Sequence, residues 1–182
     1  MSVSVVIPTY QRPVPLVRAV ASVKAQTVPV EVVVVPDETP RDRYPIDPHD
    51  FCCVKGVPPR NAGLDRATGD WVLTLDDDDT LEPDAIERLL AASAEADVVY
   101  GRSYVEGAGP LGSWPPRHSG FVNGAVMWRA EMGYRFRMEC APNPADWDLW
   151  HRMLEDKRRW VFVDAIVHHY YPAERVPMVD PA

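Results

Sequence analysis

The chain has 182 residues, a length that fits one compact domain, and 46% of them are hydrophobic, enough to fill a core. Its 27 acidic residues outnumber its 19 basic residues and give a formal net charge of -8, which argues against a general nucleic-acid binder. The first residues lack the basic start of a secretory signal, and no apolar run reaches the roughly 20 residues of a membrane span. A soluble cytoplasmic protein without a transmembrane segment is therefore expected.

Strands alternate with helices over the first hundred residues. A β-branched run ends at Pro8, and after Pro13, which suits the first turn of a helix, Leu16, Val20 and Val23 follow at helical spacing. Strands are predicted at 2–7, 30–35, 51–54, 71–75 and 97–101, and helices from Pro13, over 60–69 and over 82–96. Because the apolar runs are continuous and alternate with helices, they predict an α/β protein with a doubly wound, mainly parallel sheet.

The second half of the chain is less regular. Residues 102–120 are rich in Gly, Pro and Ser and predict a loop, whereas 121–128 and 159–163 predict strands. A helix is predicted at 145–156, where tryptophans recur at helical spacing. No linker separates the two halves, so the chain is expected to form one domain.

Three separate segments lie just beyond predicted strand ends: Pro8–Tyr10, Pro36–Glu38 and Asp76–Asp79. In open α/β sheets, ligands bind outside the carboxyl ends of the strands. We therefore expect these three segments to meet at one crevice and to form the ligand site.

Four consecutive aspartates follow the strand at 71–75, in the stretch LTLDDDDTLEP. In extended backbone, Asp76 and Asp78 would face one side and Asp77 the other. Two carboxylates on one side suit a hard divalent cation such as Mg²⁺ or Mn²⁺. The alternative is a solvated acidic loop in which Asp79 or Thr80 caps the next helix.

Three stretches carry a family resemblance: VSVVIPTYQRPVPLVRAVASVKAQT, RNAGLDRATGDWVLTLDDDDTLEPDAIERL and ADWDLWHRML. In the second, Arg-Asn-x-Gly precedes an Asp-x-Asp-Asp motif, and Pro83 follows seven residues after its first aspartate. Together they resemble the family 2 glycosyltransferases of the GT-A fold. The resemblance implies one GT-A domain over 1–182, with a nucleotide-sugar-binding half at about 1–101 and a small acceptor-side extension at about 102–182.

The resemblance also implies a nucleotide-sugar site. Asp37 matches an aspartate that binds the base, and a carboxylate acceptor suits the imide N–H of uracil, which favours a UDP-sugar. Asp77, on the other side of the aspartate stretch, is expected to touch the nucleotide or the sugar. The full nucleotide-sugar set is Thr9, Tyr10, Arg12, Asp37, Arg60, Asp76 and Asp77.

The chemistry implied is metal-dependent inverting glycosyl transfer from a nucleoside-diphosphate sugar to an acceptor hydroxyl. Asp146 matches the general base, Asp78 and Asp76 match the ligands of Mn²⁺ or Mg²⁺, and His168 or His169 completes the metal sphere. The acceptor would be a saccharide, a lipid-linked glycan or a protein. Because the second half is short for the family, a second copy of the chain in a homo-oligomer would be one way to complete the acceptor side.

Each of these residues also has a structural interpretation that the sequence leaves open. The alternatives are a helix cap for Thr9 and Asp146, a turn start for Asp37, an exposed side chain for Arg60, an ordinary strand end for His168 and His169, and core packing for Trp147 and Trp150.

Other functions compete with glycosyl transfer. The letters DDDDT also fit the D-x-D-x-T nucleophile motif of haloacid-dehalogenase-like phosphatases, although that motif usually follows the first strand of its domain. A nucleotidylyltransferase would need a glycine-rich phosphate loop, which IPTYQRP lacks. A catalytically degenerate GT-A module that binds a nucleotide-sugar or a protein partner is the main alternative, since Ala145 stands where the family usually has Glu.

Overall fold

The computed structural model describes residues 1–38, 56–116, 123–138 and 145–172. The strand predicted at 51–54 lies outside these ranges. Within them the chain forms eight β-strands and four α-helices: β1 (Val3–Thr9), α1 (Pro13–Lys24), β2 (Glu31–Pro36), α2 (Val57–Arg66), β3 (Trp71–Thr74), β4 (Thr80–Leu81), α3 (Ala85–Ala91), β5 (Val98–Val105), β6 (Gly109–Leu111), β7 (Val126–Arg129), α4 (Ala145–Glu155) and β8 (Trp160–Tyr170).

All eight strands belong to one sheet, in the order β2-β1-β3-β7-β5-β8-β4, with β6 paired to β5. The strands β2, β1 and β3 are parallel, as predicted, and β5 is parallel to β8. The prediction of a mainly parallel sheet needs correction beyond β3, because β7 lies between β3 and β5 and runs antiparallel to both. Burial on both faces makes a strand apolar whichever way it runs, so the sequence pattern does not encode this direction.

Helices cover both faces of the sheet, which explains the continuous apolar runs in β1 and β3. Val5 and Ile7 of β1 pack in one buried cluster with residues of α1 and α3, whereas Val6 packs in a second cluster with residues of α2 and α4. All three valine and isoleucine side chains are fully buried. The core therefore consists of two layers, one on each side of the sheet.

The second half contains more strand than predicted. The strand β5 continues to Val105 and turns at Glu106–Ala108 into β6, so part of the predicted loop at 102–120 is a hairpin. The strand β8 likewise continues to Tyr170, because its C-terminal part pairs with β5. The helix α3, in contrast, is shorter than predicted and ends at Ala91, where Ser93 Oγ donates to the carbonyl of Leu90. None of the helices in the described ranges is both long and apolar enough to cross a bilayer.

Candidate active site

The three segments predicted to meet do meet at one edge of the sheet. β1 lies between β2 and β3, so its end at Thr9 adjoins the residues that follow both neighbours. The N–H of Asp37 donates to the carbonyl of Thr9 at 2.7 Å, and Thr9 Oγ1 donates to Asp77 Oδ2 at 2.7 Å. Thr9 is therefore tied to the aspartate stretch and does not cap α1, whose N-cap residue is Arg12. Tyr10 follows Thr9 and is partly buried.

The four aspartates form a turn rather than an extended strand end. The N–H of Asp79 donates to the carbonyl of Asp76 at 3.2 Å, which closes the turn. One oxygen each of Asp76, Asp78 and Asp79 lies within 4.8 Å of the others. Asp77 is not part of this group, but the turn brings Asp79 into it, which an extended backbone would not do. Asp79 does not cap α3, because α3 begins after Asp84.

Three arginines contact this turn. Arg12 bridges Asp77 at 3.0 Å and Asp78 at 2.8 Å, and Arg60 pairs with Asp76. Arg18 donates to the main-chain carbonyl of Asp78, and its guanidinium lies 4.2 Å from the centroid of the Tyr171 ring. Sequence reasoning missed Arg18; its only signal was a cationic residue in the middle of the helix that follows the first strand.

The positive charges of the arginines do not fully compensate for the loss of hydration of the buried carboxylates. Burial raises the pKa of Asp77, although the hydrogen bond from Thr9 and the charge of Arg12 act in the opposite direction. Burial also lowers the pKa of Arg12, but the hydrogen bond and charge of Asp78 outweigh it and raise that pKa overall. The turn is therefore a buried anionic group that additional positive charge would stabilise.

His168 lies against the turn and holds Asp79. The His168 side chain is fully buried, with Nε2 3.1 Å from Asp79 Oδ2 and Nδ1 3.0 Å from Ser103 Oγ. A Cβ on Gly124 would overlap the imidazole ring, so glycine at that position makes room for it. The N–H of Tyr171 adds a second donor to Asp79 at 3.2 Å. Both ring nitrogens of His168 thus have partners, and His168 contacts the cluster of Asp76, Asp78 and Asp79 through Asp79.

The two histidines have different environments. His169 points away from His168 along β8, pairs with Glu82 and is partly exposed. Burial raises the pKa of Asp79 despite the opposing hydrogen bond from His168. Of the two histidines, His168 contacts an aspartate of the cluster, whereas His169 pairs with Glu82 outside it. Direct metal ligation by either histidine stays a prediction.

Asp146 reaches the same site from α4. It lies in the first turn of that helix, and its Oδ1 accepts the N–H of Trp147 at 2.8 Å. Burial raises the pKa of Asp146, the Trp147 N–H and the charge of Arg60 lower it, and the charge of Asp76 raises it again. Arg60 and Asp76 are thus near enough to influence its ionisation. Trp150 on the same helix is a core residue, packed at 5.3 Å between ring centroids against Trp128.

The Arg-Asn-x-Gly motif places Arg60 at this site. Asn61 donates to the carbonyl of Phe136 and accepts its N–H, both at 2.9 Å. A Cβ on Gly63 would overlap Val6 of β1, so the glycine lets α2 pack directly against the sheet. These two contacts fix α2, and with it the partly buried guanidinium of Arg60, beside Asp76.

Comparison of the sequence with known proteins identifies relatives of this chain. Residues 59–158, 100 of the 182, match the family model described as Glycosyl transferase family 2. The protein named Uncharacterized glycosyltransferase YwdF, from Bacillus subtilis (strain 168), is 33% identical over 110 residues, which cover 55% of this chain and 41% of that protein.

Solved structures share the fold. TarS 1-349 of S. aureus in complex with UDP superimposes with a TM-score of 0.72 and 18% identity, covering 94% of this chain and 60% of that one. The mannosyltransferase PcManGT from Pyrobaculum calidifontis, in complex with GDP-Man and Mn²⁺, has a TM-score of 0.64 and 13% identity, over 95% of this chain and 57% of that one. The chain thus spans less than two thirds of each of these relatives. The likeness to these structures shows the GT-A fold, and the match to the family model over more than half its length shows that the chain belongs to glycosyl transferase family 2.

Proposed function

We propose that the chain is a metal-dependent inverting glycosyltransferase that moves a sugar from a UDP-sugar to an acceptor hydroxyl. The observation that carries the proposal is the meeting of the aspartate turn after β3 with Asp146 of α4. Three carboxylate oxygens converge within 4.8 Å in that turn, and Arg60 and Asp76 both influence the pKa of Asp146. Metal ligands, a cationic group and a basic carboxylate are the groups that this transfer needs.

The three clustered carboxylates of the aspartate turn fit a divalent cation. Its donors are all carboxylate oxygens, the ligands that Mg²⁺ and Mn²⁺ prefer, and Asp76, Asp78 and Asp79 would hold the ion. Asp79 and Asp78 are nearly inaccessible to solvent, and burial raises the pKa of Asp79, so a cation would replace lost hydration. A bound ion would supply positive charge next to the departing nucleoside diphosphate.

The donor nucleotide is proposed to lie along the ends of β1 and β2. Asp37 is buried there and adjoins Thr9, and its carboxylate would accept the imide N–H of uracil. Tyr10, Arg12 and Asp77 lie next to Thr9 along the same edge and complete the nucleotide side. Donor chemistry of this class is supported by the relatives, since TarS structures are complexes with UDP and with UDP-GlcNAc and the PcManGT structure is a complex with GDP-Man.

Asp146 is proposed as the general base. Burial raises the pKa of Asp146, which makes its carboxylate a stronger base than that of an exposed aspartate, so the ionised form accepts the acceptor hydroxyl proton more readily. The oxygen of that hydroxyl attacks the anomeric carbon as the bond to the diphosphate breaks on the opposite side. A single displacement of this kind inverts the anomeric configuration.

Domain organisation follows from the same arrangement. The donor would bind to the half at about 1–101, and the half at about 102–182 would supply Asp146, His168 and the acceptor side. We propose that both halves act as one domain, because β7 and β8 of the second half lie in the same sheet as β1 and β3.

A thermal-shift screen of UDP-, GDP- and dTDP-sugars, each with and without Mn²⁺, tests this proposal. A ligand at 100 times its Kd stabilises the folded state by about 2.7 kcal/mol, so binding should raise Tm measurably. We expect a shift with UDP-sugars that requires Mn²⁺. If no nucleotide shifts Tm in the presence of metal, the proposal is wrong.

Turnover separates an enzyme from a binding module. We expect wild-type protein to hydrolyse or transfer the donor sugar with Mn²⁺, and Asp146→Asn to bind the donor without turnover. Product stereochemistry, read by NMR, tests inversion. Donor binding by the wild type without hydrolysis or transfer to any acceptor would instead identify the catalytically degenerate GT-A module.

A further inference from the structure

The guanidinium of Arg12 occupies the place beside Asp78 where a divalent cation would bind. Its guanidinium lies 2.8 Å from Asp78 Oδ2 and 3.0 Å from Asp77 Oδ1. The Asp78 side chain is only 4% exposed, so a cation bound to it would lie against the guanidinium with little water between them. We propose that Arg12 is a built-in counter-ion, which a divalent cation displaces from Asp78 and which then pairs with the diphosphate of the donor. This inference rests on the proposed function.

Charge balance around the turn supports an exchange of this kind. The four aspartates of the turn and the nearby Asp146 carry five formal negative charges, and Arg12, Arg18 and Arg60 carry three positive charges. A divalent cation that bound while Arg12 stayed on Asp78 would place two positive charges in contact there. The diphosphate of a nucleotide-sugar offers the displaced guanidinium a new anionic partner, so metal and donor bind favourably together and the metal binds more weakly on its own.

Arg12 is better placed to move than the other two arginines. Its side chain is 29% exposed, against 13% for Arg60, which also packs 5.7 Å from the centroid of the Phe136 ring. Arg18 donates to a main-chain carbonyl and stacks on Tyr171. Arg12 is the N-cap residue of α1, where the connection from β1 ends; its carbonyl accepts the N–H of Leu16 at 3.2 Å, so a movement of its side chain need not disturb the helix.

The test measures Mn²⁺ and UDP binding separately. Mn²⁺ affinity without nucleotide is measured by EPR of the free ion, and UDP affinity at saturating Mn²⁺ by calorimetry. For Arg12→Gln we expect Mn²⁺ alone to bind at least about tenfold more tightly, since unit charges in contact at a partly buried site repel by more than this factor. We expect UDP to bind about tenfold more weakly, since a charge-assisted contact to phosphate is lost.

Arg88→Gln is the matched control. Arg88 forms an exposed i,i+4 pair with Asp84 on α3, so the same chemical change there should alter neither affinity. If Arg12→Gln proves unfolded, Arg12→Lys replaces it: lysine keeps the charge but cannot bridge both carboxylates, and Mn²⁺ alone should still bind more tightly, by a smaller factor.

Tighter Mn²⁺ binding together with weaker UDP binding in the Arg12 variants distinguishes the counter-ion from other roles of Arg12. If the wild type binds Mn²⁺ and UDP together, yet neither Arg12 variant binds Mn²⁺ alone more tightly, the counter-ion inference is overturned and the proposed function stands. If the wild type binds neither Mn²⁺ nor UDP in any combination, the proposed function fails and this inference fails with it.

Discussion

Replacing Asp146 by asparagine is expected to stabilise the fold at neutral pH while it slows transfer by orders of magnitude. Burial raises the pKa of Asp146, which means that the ionised carboxylate is less favourable in the folded chain than in the unfolded chain. Asparagine has nearly the same shape and no charge, and its side-chain oxygen can still accept the Trp147 N–H that Asp146 accepts at 2.8 Å. The variant therefore removes the charge and keeps the local contact.

The sign of the stability change follows from proton linkage. Because the folded pKa lies above the ordinary value of 3.8, the protonated carboxyl favours folding, and this contribution is lost as pH rises through the folded pKa. Above the folded pKa the wild type carries the full penalty, whereas Asp146→Asn carries none at any pH. Each pKa unit of elevation is equivalent to about 1.4 kcal/mol. In a chain of this size that free energy changes Tm by roughly 3–5 °C.

Differential scanning calorimetry from pH 8 downward measures this effect. The Tm of Asp146→Asn should exceed that of the wild type at pH 7 to 8, about two or more pH units above an ordinary carboxyl pKa, and the difference should shrink as pH falls. Transfer should drop by about 10² to 10⁴, the usual contribution of a general base. Wild-type activity should fall on the acidic side at a pH above the ordinary aspartate pKa.

Asp148→Asn is the control on the same helix. Asp148 pairs with Arg152 at 2.9 Å, so removing its charge should leave Tm unchanged or lower it slightly. If Asp146→Asn melts at or below the wild-type temperature at neutral pH, with Asp148→Asn behaving as described, then Asp146 carries no burial penalty and the argument for its raised pKa is refuted.

Three further substitutions separate the roles of neighbouring residues. Asp78→Ala should abolish Mn²⁺-dependent UDP binding in a thermal-shift assay, whereas Asp79→Ala should weaken that binding and also lower the Tm of the ligand-free protein, because buried His168 loses its acceptor; an equal loss of ligand-free Tm in Asp78→Ala would contradict this difference between the two residues. His168→Leu should lower the free energy of unfolding by about 1–3 kcal/mol in urea, since buried Asp79 loses a hydrogen bond, and an unchanged midpoint would show that the pair contributes nothing. Gly63→Ala should cost about 1–3 kcal/mol by overpacking against Val6, and wild-type stability in urea would mean that α2 shifts freely.

The donor half of the fold could be predicted from sequence because its pattern is local. Continuous apolar runs predicted β1 and β3, and both strands are buried between helical layers on their two faces. Pro13 marked the start of α1 at the observed residue. These features depend on burial and on the first turn of a helix, which neighbouring residues encode.

The second half could be predicted less well because its structure depends on distant pairing. Residues 102–105 look like a loop by composition, yet they form strand because they pair with β8. The antiparallel direction of β7 likewise arises from where the chain returns to the sheet, between β3 and β5. No short window of sequence contains that information.

The site shows the same division between local and distant information. The motif identified Arg60 and Asp146, and the structure brings both near Asp76. Alternation along a strand grouped Asp76 with Asp78, but it assumed an extended backbone, whereas the chain turns and also brings Asp79 to them. Arg18 was missed because its role depends on which way α1 faces after folding.

The turn at 76–79 resolves how one chain keeps four adjacent carboxylates folded. The aspartates are held by groups on three elements: Arg60 of α2 pairs with Asp76, Arg12 before α1 pairs with both Asp77 and Asp78, and His168 of β8 pairs with Asp79. The repulsion is thus distributed over contacts that fix each side chain in its own direction, and three oxygens still share one point. Since burial leaves Asp77 and Asp79 with raised pKa values even so, the ligand-free turn is held in an electrostatically unfavourable state that a metal and an anionic donor would relieve together. Such a site lowers the stability of the ligand-free fold, so a substitution that removes a buried charge but keeps its hydrogen bonds, such as Asp146→Asn, should stabilise the chain and inactivate it.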